Sequence, residues 1–332
     1  MANLLLTSVC NRRCPYCFAQ PAMAGANPAQ RLSLPDLVQV ADVLVASRAG
    51  RIGVLGGEPT MHPDFVDIVL YLMDRRLKVT VFTNGLTNRA TLARIAAIPP
   101  SLPVSFVVNV NHPDISTPAE QAQQRTFLAT LGNRCEISLN LYRVDRDPCF
   151  VADLGAECGT SGKIRLGLAQ PSTEPRAEFL ARDQYAAAAA QVVRLVEAAF
   201  DRGGSVHFDC GFALCSFTDE QLGTLTRRGT RLRFACDLAL DIGPTLDCWP
   251  CFPLAGGRHI QLTAASRIHD MHHEFQDDLD ATRRDRNVWG IFPECEGCAY
   301  RKARRCAGGC LAHALRVMPA QPSTSFPLSA PC

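Results

Sequence analysis

The sequence has 332 residues, of which 34 are Lys or Arg and 32 are Asp or Glu, so its formal net charge is +2. This length allows one large domain or two modest ones. The balanced charge gives no reason to expect nucleic-acid binding or attachment to a membrane surface. The N-terminus has no signal-peptide pattern and no window approaches 18 apolar residues, so we expect a cytoplasmic protein without a transmembrane helix.

Apolar patterning predicts alternating strands and helices over the first two thirds of the chain. Short apolar runs predict strands at 3–9, 51–57, 78–85, 103–111, 135–143 and 163–171. Helical spacing predicts helices at 32–47, 62–76, 88–98, 117–132, 148–157 and 182–204. This alternation predicts an α/β fold, either a partial (β/α)6 TIM-like barrel or an open doubly wound sheet. In both folds, ligands bind at the C-terminal ends of the strands.

The chain changes character near residue 204, where we expect the strand–helix alternation to stop. Ten of the sixteen cysteines lie from Cys210 onward. Clustered thiols in a reducing cytosol are more often metal ligands or catalysts than disulfides. We therefore expect a domain boundary between residues 203 and 204, followed by a small cysteine-rich domain over 204–332.

Three cysteines stand close together after the first predicted strand, in the sequence CNRRCPYC. Cys10, Cys14 and Cys17 are soft ligands that suit iron, and three thiolates would leave one iron of a four-iron cluster open. The spacing alone also allows a zinc site that a distant residue completes, or buried free thiols.

A second motif, GGEP, follows the second predicted strand. Gly56 and Gly57 let the backbone approach a ligand closely. Glu58 could accept a hydrogen bond from a ligand ammonium group, and Pro59 fixes the turn. Alone, this motif is also typical of a plain turn.

Together the two motifs resemble the radical S-adenosylmethionine (radical SAM) enzyme family over about residues 3–202. The resemblance implies that residues 1–203 form a radical SAM partial barrel. It implies a [4Fe–4S] cluster on Cys10, Cys14 and Cys17 whose fourth iron binds SAM, so these cysteines would be both metal ligands and catalytic residues. It also implies that SAM contacts Tyr16, Gly56, Gly57, Glu58, Pro59, Thr83, Asn84, Gly85 and Leu168.

The last cysteines form the run Cys-x2-Cys-x7-Cys-x3-Cys, which alone would be typical of a zinc ribbon. After the first two motifs, this run resembles the SPASM extension of radical SAM enzymes, although the x7 spacing is two residues longer. The resemblance implies a SPASM-like domain over 204–332 with one or two auxiliary [4Fe–4S] clusters. The implied distal ligands are Cys295, Cys298, Cys306 and Cys332.

The cluster nearer the barrel would then take Cys310. Its further ligands would come from five upstream candidates: Cys210, Cys215, Cys236, Cys248 and Cys251. Three aspartates, at 209, 237 and 247, adjoin cysteines, and we expect each to have a surface or capping role rather than acid–base work. We expect the histidine-rich segment at 268–275 to be an exposed helix start.

The family resemblance implies reductive cleavage of SAM to a 5′-deoxyadenosyl radical that abstracts a hydrogen atom. SPASM relatives mostly modify peptides or proteins, so a peptide substrate is our first hypothesis. A sugar or aminocyclitol dehydrogenase or epimerase is the second, and a non-catalytic zinc or scaffold protein is the third. We expect an external one-electron donor of the flavodoxin or ferredoxin type. We expect no fused N-terminal recognition domain, so a leader-dependent enzyme would need a separate leader-peptide-binding protein.

Overall fold

A computed structural model describes residues 2–19, 27, 30–171 and 177–317. The strands are β1 (Ala2–Leu5), β2 (Arg51–Leu55), β3 (Lys78–Thr83), β4 (Val104–Asn109), β5 (Cys135–Leu141), β6 (Lys163–Leu168), β7 (Ser205–Phe208), β8 (Leu240–Ile242), β9 (Asp247–Pro250) and β10 (Ile260–Gln261). The helices are α1 (Leu34–Ala46), α2 (Phe65–Asp74), α3 (Arg89–Ala96), α4 (Pro118–Leu131), α5 (Phe150–Glu157), α6 (Tyr185–Asp201), α7 (Asp219–Arg227), α8 (Ile268–Asp285), α9 (Ala299–Lys302) and α10 (Leu311–Val317).

All ten strands belong to one sheet, in the order β10-β9-β8-β1-β2-β3-β4-β5-β6-β7. The eight strands from β8 to β7 run parallel, whereas β9 and β10 are antiparallel additions at one edge. The expected α/β fold with a mostly parallel sheet is therefore confirmed. The sheet is open, with β7 and β10 at its edges.

Local sequence explains where the helices begin and end. Ser33 accepts a hydrogen bond from the backbone N–H of Asp36 and caps α1. Thr117 and Glu120 form a reciprocal capping box at the start of α4. Gly203 follows α6 with a φ of +72°, a conformation that glycine adopts without a steric penalty.

One face of the sheet is apolar and packs against the helices. Alternate residues of each strand enter this core, as Ile164, Leu166 and Leu168 do in β6. They pack with apolar helix residues into one large buried cluster. Burial of this cluster is the main driving force for folding at about 25 cal/mol for each Å² of apolar surface removed from water.

The opposite face, which we call the polar face, carries hydrogen-bonding side chains on neighbouring strands. Asn140 donates to Asn109 over 3.0 Å, and Asn3 donates to Asp241 over 2.7 Å. Towards the N-terminal ends of the strands, His207 and Glu136 lie 3.0 Å apart. Because strand side chains alternate between faces, each polar residue here lies next to a core residue in sequence.

The expectation that alternation stops after residue 204 is wrong. Strand β7 follows α6 and pairs in parallel with β6, and α7 follows β7. Strand β8 pairs with β1, so the cysteine-rich part of the chain extends the same sheet at both edges. The boundary between residues 203 and 204 falls between α6 and β7 and stays a prediction. Among the described residues, no helix is long and apolar enough to cross a membrane.

Candidate functional site

The first cysteine loop lies across the C-terminal ends of neighbouring strands. The backbone N–H groups of Gly57 and Glu58 donate to the carbonyls of Thr7 and Val9, each over 2.8 Å. These two bonds join the segment after β2 to the segment after β1. The GGEP motif is thus in direct backbone contact with the residues that lead into the cysteine loop.

Gly56 and Gly57 are needed for this contact. A Cβ atom on Gly56 would lie 2.5 Å from the carbonyl oxygen of Thr7, and one on Gly57 would collide with the carbonyl of Val9. Both obstacles are backbone atoms, so they cannot move aside as a side chain could. A larger residue at either position would push the two loops apart.

Glu58 is 1% exposed and turns into the protein. Its Oε1 accepts from Thr60 and from the Thr83 hydroxyl over 2.7 Å, and its Oε2 accepts from the backbone N–H of Asn84 over 2.7 Å. Burial raises the pKa of Glu58, while these hydrogen bonds lower it. The carboxylate therefore ties the end of β2 to the end of β3, and its acceptor sites are used by the chain itself.

The segment after β3 also contacts the cysteine loop. Asn84 donates through Nδ2 to Asn11 over 2.8 Å, and Asn11 donates to the carbonyl of Leu86 over 2.7 Å. Gly85 has a φ of +73° and closes this turn. Thr83, Asn84 and Gly85 therefore lie at the rim, as the family resemblance implies for SAM contacts.

The other implied SAM contacts occupy different surroundings. Pro59 is buried at the start of a short 3-10 turn that follows Glu58. The side chain of Leu168 is 4% exposed and belongs to the helix-facing core, so only its backbone could meet a ligand. These roles stay predictions.

Tyr16 is 4% exposed and belongs to a hydrogen-bonded relay that ends at Cys14. Its hydroxyl donates to Asn111 Oδ1 and accepts from Asn109 Nδ2 over 2.9 Å. Asn111 in turn donates through Nδ2 to Cys14 Sγ over 3.5 Å. The Tyr16 ring packs against Tyr142, with centroids 4.8 Å apart. Burial and the neighbouring Cys14 raise the pKa of Tyr16 well above its ordinary value.

The side chains of Cys10, Cys14 and Cys17 are of intermediate exposure in this loop and form no disulfide. The backbone N–H of Cys17 donates to the carbonyl of Cys14 over 3.1 Å, which turns the loop back on itself. Burial, Glu58 and the other two thiols raise the pKa of Cys10 to about 11. Mutual repulsion of thiolates is what a positively charged metal centre relieves, so this donor set fits an iron–sulfur cluster.

Arg12, between the first two cysteines, anchors the loop to the start of α4. Its Nη2 donates to Ser116 over 2.6 Å and its Nε lies 3.5 Å from Glu120. Sequence reasoning missed this anchor, and it also missed Asn109 and Asn111. Their signal was the polar sequence NVNH at the end of the fourth predicted strand, where a strand end faces the ligand side of the sheet.

Four C-terminal thiols from separate segments interact with one another. Burial, Asp209 and the thiols of Cys310 and Cys236 raise the pKa of Cys210 well above its ordinary value. Burial and the thiols of Cys310, Cys210 and Cys236 do the same for Cys251. We call Cys210, Cys236, Cys251 and Cys310 the first thiol group. The backbone N–H groups of Ala312 and His313 donate to Cys310 and lower its pKa, which burial nevertheless raises to about 11.

A second thiol group consists of Cys215, Cys295, Cys298 and Cys306. Burial and the other three thiols raise the pKa of Cys215 to about 11. Gly308 lies between two members, because its N–H donates to Cys306 Sγ over 3.3 Å and a Cβ on it would lie 3.3 Å from Cys295 Sγ. Cys332, which the resemblance assigns to this group, lies outside the described residues.

Cys248 stands apart from both groups. It is fully buried, and its Sγ donates to the carbonyl of Leu246 over 3.6 Å.

Among the residues that the structure describes, no three His, Cys, Asp or Glu side chains are gathered closely enough to hold one metal ion.

The three aspartates next to cysteines differ from one another. Asp237 pairs with Arg233 at the surface, as expected, and Asp247 pairs with His259. Asp209 pairs with Arg165 on the polar face, where both side chains are partly exposed, and its expected surface or capping role stays a prediction. The histidine-rich segment begins helix α8, where His269 and His273 are exposed, as expected.

Comparison with known families bears on the first third of the chain. Residues 4–119 match the sequence profile of the Radical SAM superfamily. The match to this family covers 116 of the 332 residues. The matched residues include the cysteine loop, the Gly56–Glu58 turn and the segment after β3, so the matched segment supplies the rim described above.

Two curated relatives align with part of this chain. GTP 3′,8-cyclase of Pectobacterium atrosepticum is 38% identical over 88 residues, which are 25% of this chain and 26% of that protein. An S-adenosylmethionine-dependent nucleotide dehydratase of Selenomonas ruminantium is 37% identical over 84 residues, 25% of this chain and 29% of that protein. The match thus spans little more than a quarter of each relative. Both relatives bear the names of enzymes.

Solved structures resemble the chain over almost its whole length. Streptococcus suis SuiB bound to S-adenosylmethionine superimposes with a TM-score of 0.66 at 15% identity, covering 95% of this chain and 73% of that one. The enzyme anSMEcpe with bound AdoMet and Kp18Cys peptide gives a TM-score of 0.60 at 14% identity, covering 94% and 89%. At these identities the likeness establishes the fold, which extends beyond the matched segment.

Proposed function

We propose that this chain is a cytoplasmic radical SAM oxidoreductase that removes a hydrogen atom from a peptide substrate. The observation that carries the proposal is the backbone contact of the cysteine loop with the Gly56–Glu58 turn at the C-terminal ends of parallel strands. Parallel α/β sheets bind ligands at this edge. The three cysteine side chains there are partly exposed, as ligands of a reactive rather than a structural centre would be.

A four-iron cluster on Cys10, Cys14 and Cys17, with bound SAM, would supply one-electron cleavage of a sulfonium C–S bond and abstraction of a hydrogen atom. The chain's own residues position this chemistry. Glu58 fixes the ends of β2 and β3, and Asn11, Arg12 and Tyr16 fix the loop to the segments after β3 and β4. Such an anchored loop holds reactants in one geometry, which lowers the entropic part of the barrier.

We also propose that the two C-terminal thiol groups hold auxiliary [4Fe–4S] clusters. Four thiolates are the usual ligand set of such a cluster. Each group draws its members from separate segments, and burial together with the neighbouring thiols raises the pKa of Cys210, Cys251 and Cys215. In this assignment Cys251 closes the first group and Cys215 closes the second, and Cys248 is a core residue.

A peptide substrate is supported by the structural neighbours. One SuiB structure is bound to its precursor peptide SuiA, and one anSMEcpe structure contains the Kp18Cys peptide. The fold of this chain is similar to these two structures over 94–95% of its length. A one-electron donor of the flavodoxin or ferredoxin type and a separate leader-peptide-binding protein belong to this proposal.

A small-molecule substrate is the second candidate, and the sequence relatives favour it. GTP 3′,8-cyclase and the nucleotide dehydratase bear the names of small-molecule enzymes, and both match part of this chain at more than 35% identity. The small-molecule hypothesis from the sequence, a sugar or aminocyclitol, belongs to the same class.

The test is substrate-dependent formation of 5′-deoxyadenosine by the anaerobically reconstituted full chain. Dithionite and SAM should give 5′-deoxyadenosine slowly, and a true substrate should accelerate it and show a mass change of its own. Candidate peptides and candidate nucleotides or sugars are the two arms. No 5′-deoxyadenosine in any arm, from a protein with its full iron content, would contradict the proposed activity.

A further inference from the structure

An ion pair lies on the polar face of the sheet, below the cysteine loop. Arg165 of β6 pairs with Asp209, the residue that follows β7. Their side chains are 27% and 31% exposed, so solvent reaches both. A pair that only filled the interior would be expected to be closed off from water, and a surface pair would be more exposed.

Arg165 keeps hydrogen-bonding capacity beyond Asp209. A guanidinium has five N–H donors. Among the described residues, Arg165 donates through Nη2 to Asp209 and through Nη1 to Ser138, the latter at a long 3.5 Å. The guanidinium carbon also lies 5.4 Å from the ring centre of Phe82 in β3, and this cation–π contact orients the group.

The ion pair is adjacent to the relay that reaches Cys14. Gly167, two residues after Arg165 and on the same face, has no side chain, and a Cβ there would lie 2.5 Å from Asn140 Oδ1 and 3.7 Å from Asp209 Oδ2. Asn140 donates to Asn109, which donates to Tyr16. The cation thus lies one layer of side chains below the residues that contact the cluster loop.

We propose that Arg165 is a specificity-determining residue that binds an anionic group of the substrate, a carboxylate or a phosphate. Asp209 orients the guanidinium and competes with the bound anion. The planar fork of arginine suits both kinds of anion. This inference rests on the proposed function, because the substrate's C–H bond must lie near the cysteine loop.

The two members of the pair predict opposite effects on binding. Arg165→Gln removes the charge, and anion affinity should fall by about tenfold or more, since a charge-assisted hydrogen bond is lost. Arg165→Lys keeps the positive charge but lacks the planar fork of arginine, so its anion affinity should fall less than that of Arg165→Gln. Asp209→Asn removes the competing carboxylate, so anion affinity should rise severalfold. A purely structural pair would give reduced stability in all three variants and no rise in affinity.

The experiment is isothermal titration calorimetry of the anaerobically reconstituted full chain with pyrophosphate and, separately, with glutarate. Tighter binding of pyrophosphate assigns a phosphate-bearing substrate, and tighter binding of glutarate assigns a carboxylate such as an acidic peptide side chain. Arg125→Gln, which breaks an exposed pair with Glu157 on the helical side, is the matched control and should bind as the wild type does. Melting curves on each variant confirm that it is folded.

Absence of binding by both anions, or equal affinity of Arg165→Gln and the wild type, would overturn the inference. A fall in affinity for Asp209→Asn would overturn it as well. Formation of 5′-deoxyadenosine is measured on the same samples. If SAM is not cleaved while the anion binds in an Arg165-dependent manner, the proposed function fails and the anion site stands.

Discussion

The N-terminal cysteine loop and the C-terminal thiol groups gather their cysteines in different ways. In the loop, three thiols lie within eight residues, and hydrogen bonds to the segments after β2, β3 and β4 fix the loop in place. In the first thiol group, the four cysteines span 100 residues of sequence, from Cys210 after β7 to Cys310 before α10, and interact electrostatically across these separate segments. A local site depends on its loop, whereas a long-range site depends on the whole sheet.

The largest expected effect concerns which C-terminal thiols bind iron. Cys251→Ser should lower the iron content of the reconstituted protein by about four irons, the content of one cluster. Cys248→Ser is the matched control three residues away and should keep its iron, since its thiol lies in the core. Iron analysis and Mössbauer spectra measure both. Loss of iron in Cys248→Ser with none in Cys251→Ser would reverse the assignment.

A second comparison tests which cysteines of the second thiol group bind iron. Cys215→Ser should lower the iron content, because Cys215 interacts with Cys295, Cys298 and Cys306. The same measurement on Cys332→Ser examines the ligand that the SPASM resemblance implies. Full iron content in Cys215→Ser would contradict our assignment of this thiol.

The stability of the rim should depend on Glu58, which joins the end of β2 to the end of β3. Glu58→Gln replaces one carboxylate oxygen, which accepts hydrogen bonds, with an amide N–H₂ group. This buried donor would then face the Thr83 hydroxyl or the Asn84 N–H, which are donors themselves. Loss of stability should be about 2 kcal/mol in urea denaturation, typical of a buried polar group left without its partner. Glu157→Gln, at an exposed ion pair, should change stability by less than about 0.5 kcal/mol. Equal effects in the two variants would show that Glu58 does not hold the rim together.

Between the two regions, Asp241 of β8 meets Asn3 of β1, and its titration should make stability depend on pH. Burial raises the pKa of Asp241 to about 7, although hydrogen bonds from Asn3 and the Phe252 backbone lower it. In the unfolded chain this carboxyl ionises near its ordinary value of 3.8, so the folded state binds more protons above that pH. The stability that this protonation provides is present at low pH and is lost as pH rises through about 7.

This dependence is measurable between pH 6 and pH 8.5. The wild type should lose about 1 kcal/mol over that range from this group, and Asp241→Asn should not. Melting temperatures of the two proteins should therefore diverge as pH rises, with the variant higher. Parallel pH profiles would exclude Asp241 as the cause.

The smallest expected effect is on the reduction potential of the cluster proposed for Cys10, Cys14 and Cys17. Asn111→Leu removes the N–H donor to Cys14, and a hydrogen bond to a ligand sulfur raises the potential. We expect a shift to more negative potential in an EPR-monitored titration. Asn140→Leu, which is three hydrogen bonds further along the relay, should shift it less. An unchanged potential in Asn111→Leu would rule out this tuning role.

Features that depend on residues close together in the chain could be predicted from the sequence. The spacing of Cys10, Cys14 and Cys17, and the glycines at 56 and 57, depend on neighbours in the chain, and strand ends of a parallel sheet must meet at one edge. The six strand–helix pairs were predicted for the same reason, since each depends on its own apolar period.

Long-range features could not be read from the sequence. Nothing local distinguishes Cys251 from Cys248, because their roles depend on where β9 ends and which side each thiol faces. Strand β7 is four residues long, and β8 is three, too short for a period to be detected. Asp209 could not be paired with Arg165 without knowing that β6 and β7 are neighbours.

The most direct test of the whole account is formation of 5′-deoxyadenosine by Cys14→Ala beside Cys135→Ala. Cys14 is a thiol of the rim loop, and Cys135 is a thiol of the apolar core. With SAM and dithionite under anaerobic conditions, we expect no 5′-deoxyadenosine from Cys14→Ala and wild-type amounts from folded Cys135→Ala. Wild-type amounts of 5′-deoxyadenosine from Cys14→Ala would contradict the assignment of this loop as the reactive centre.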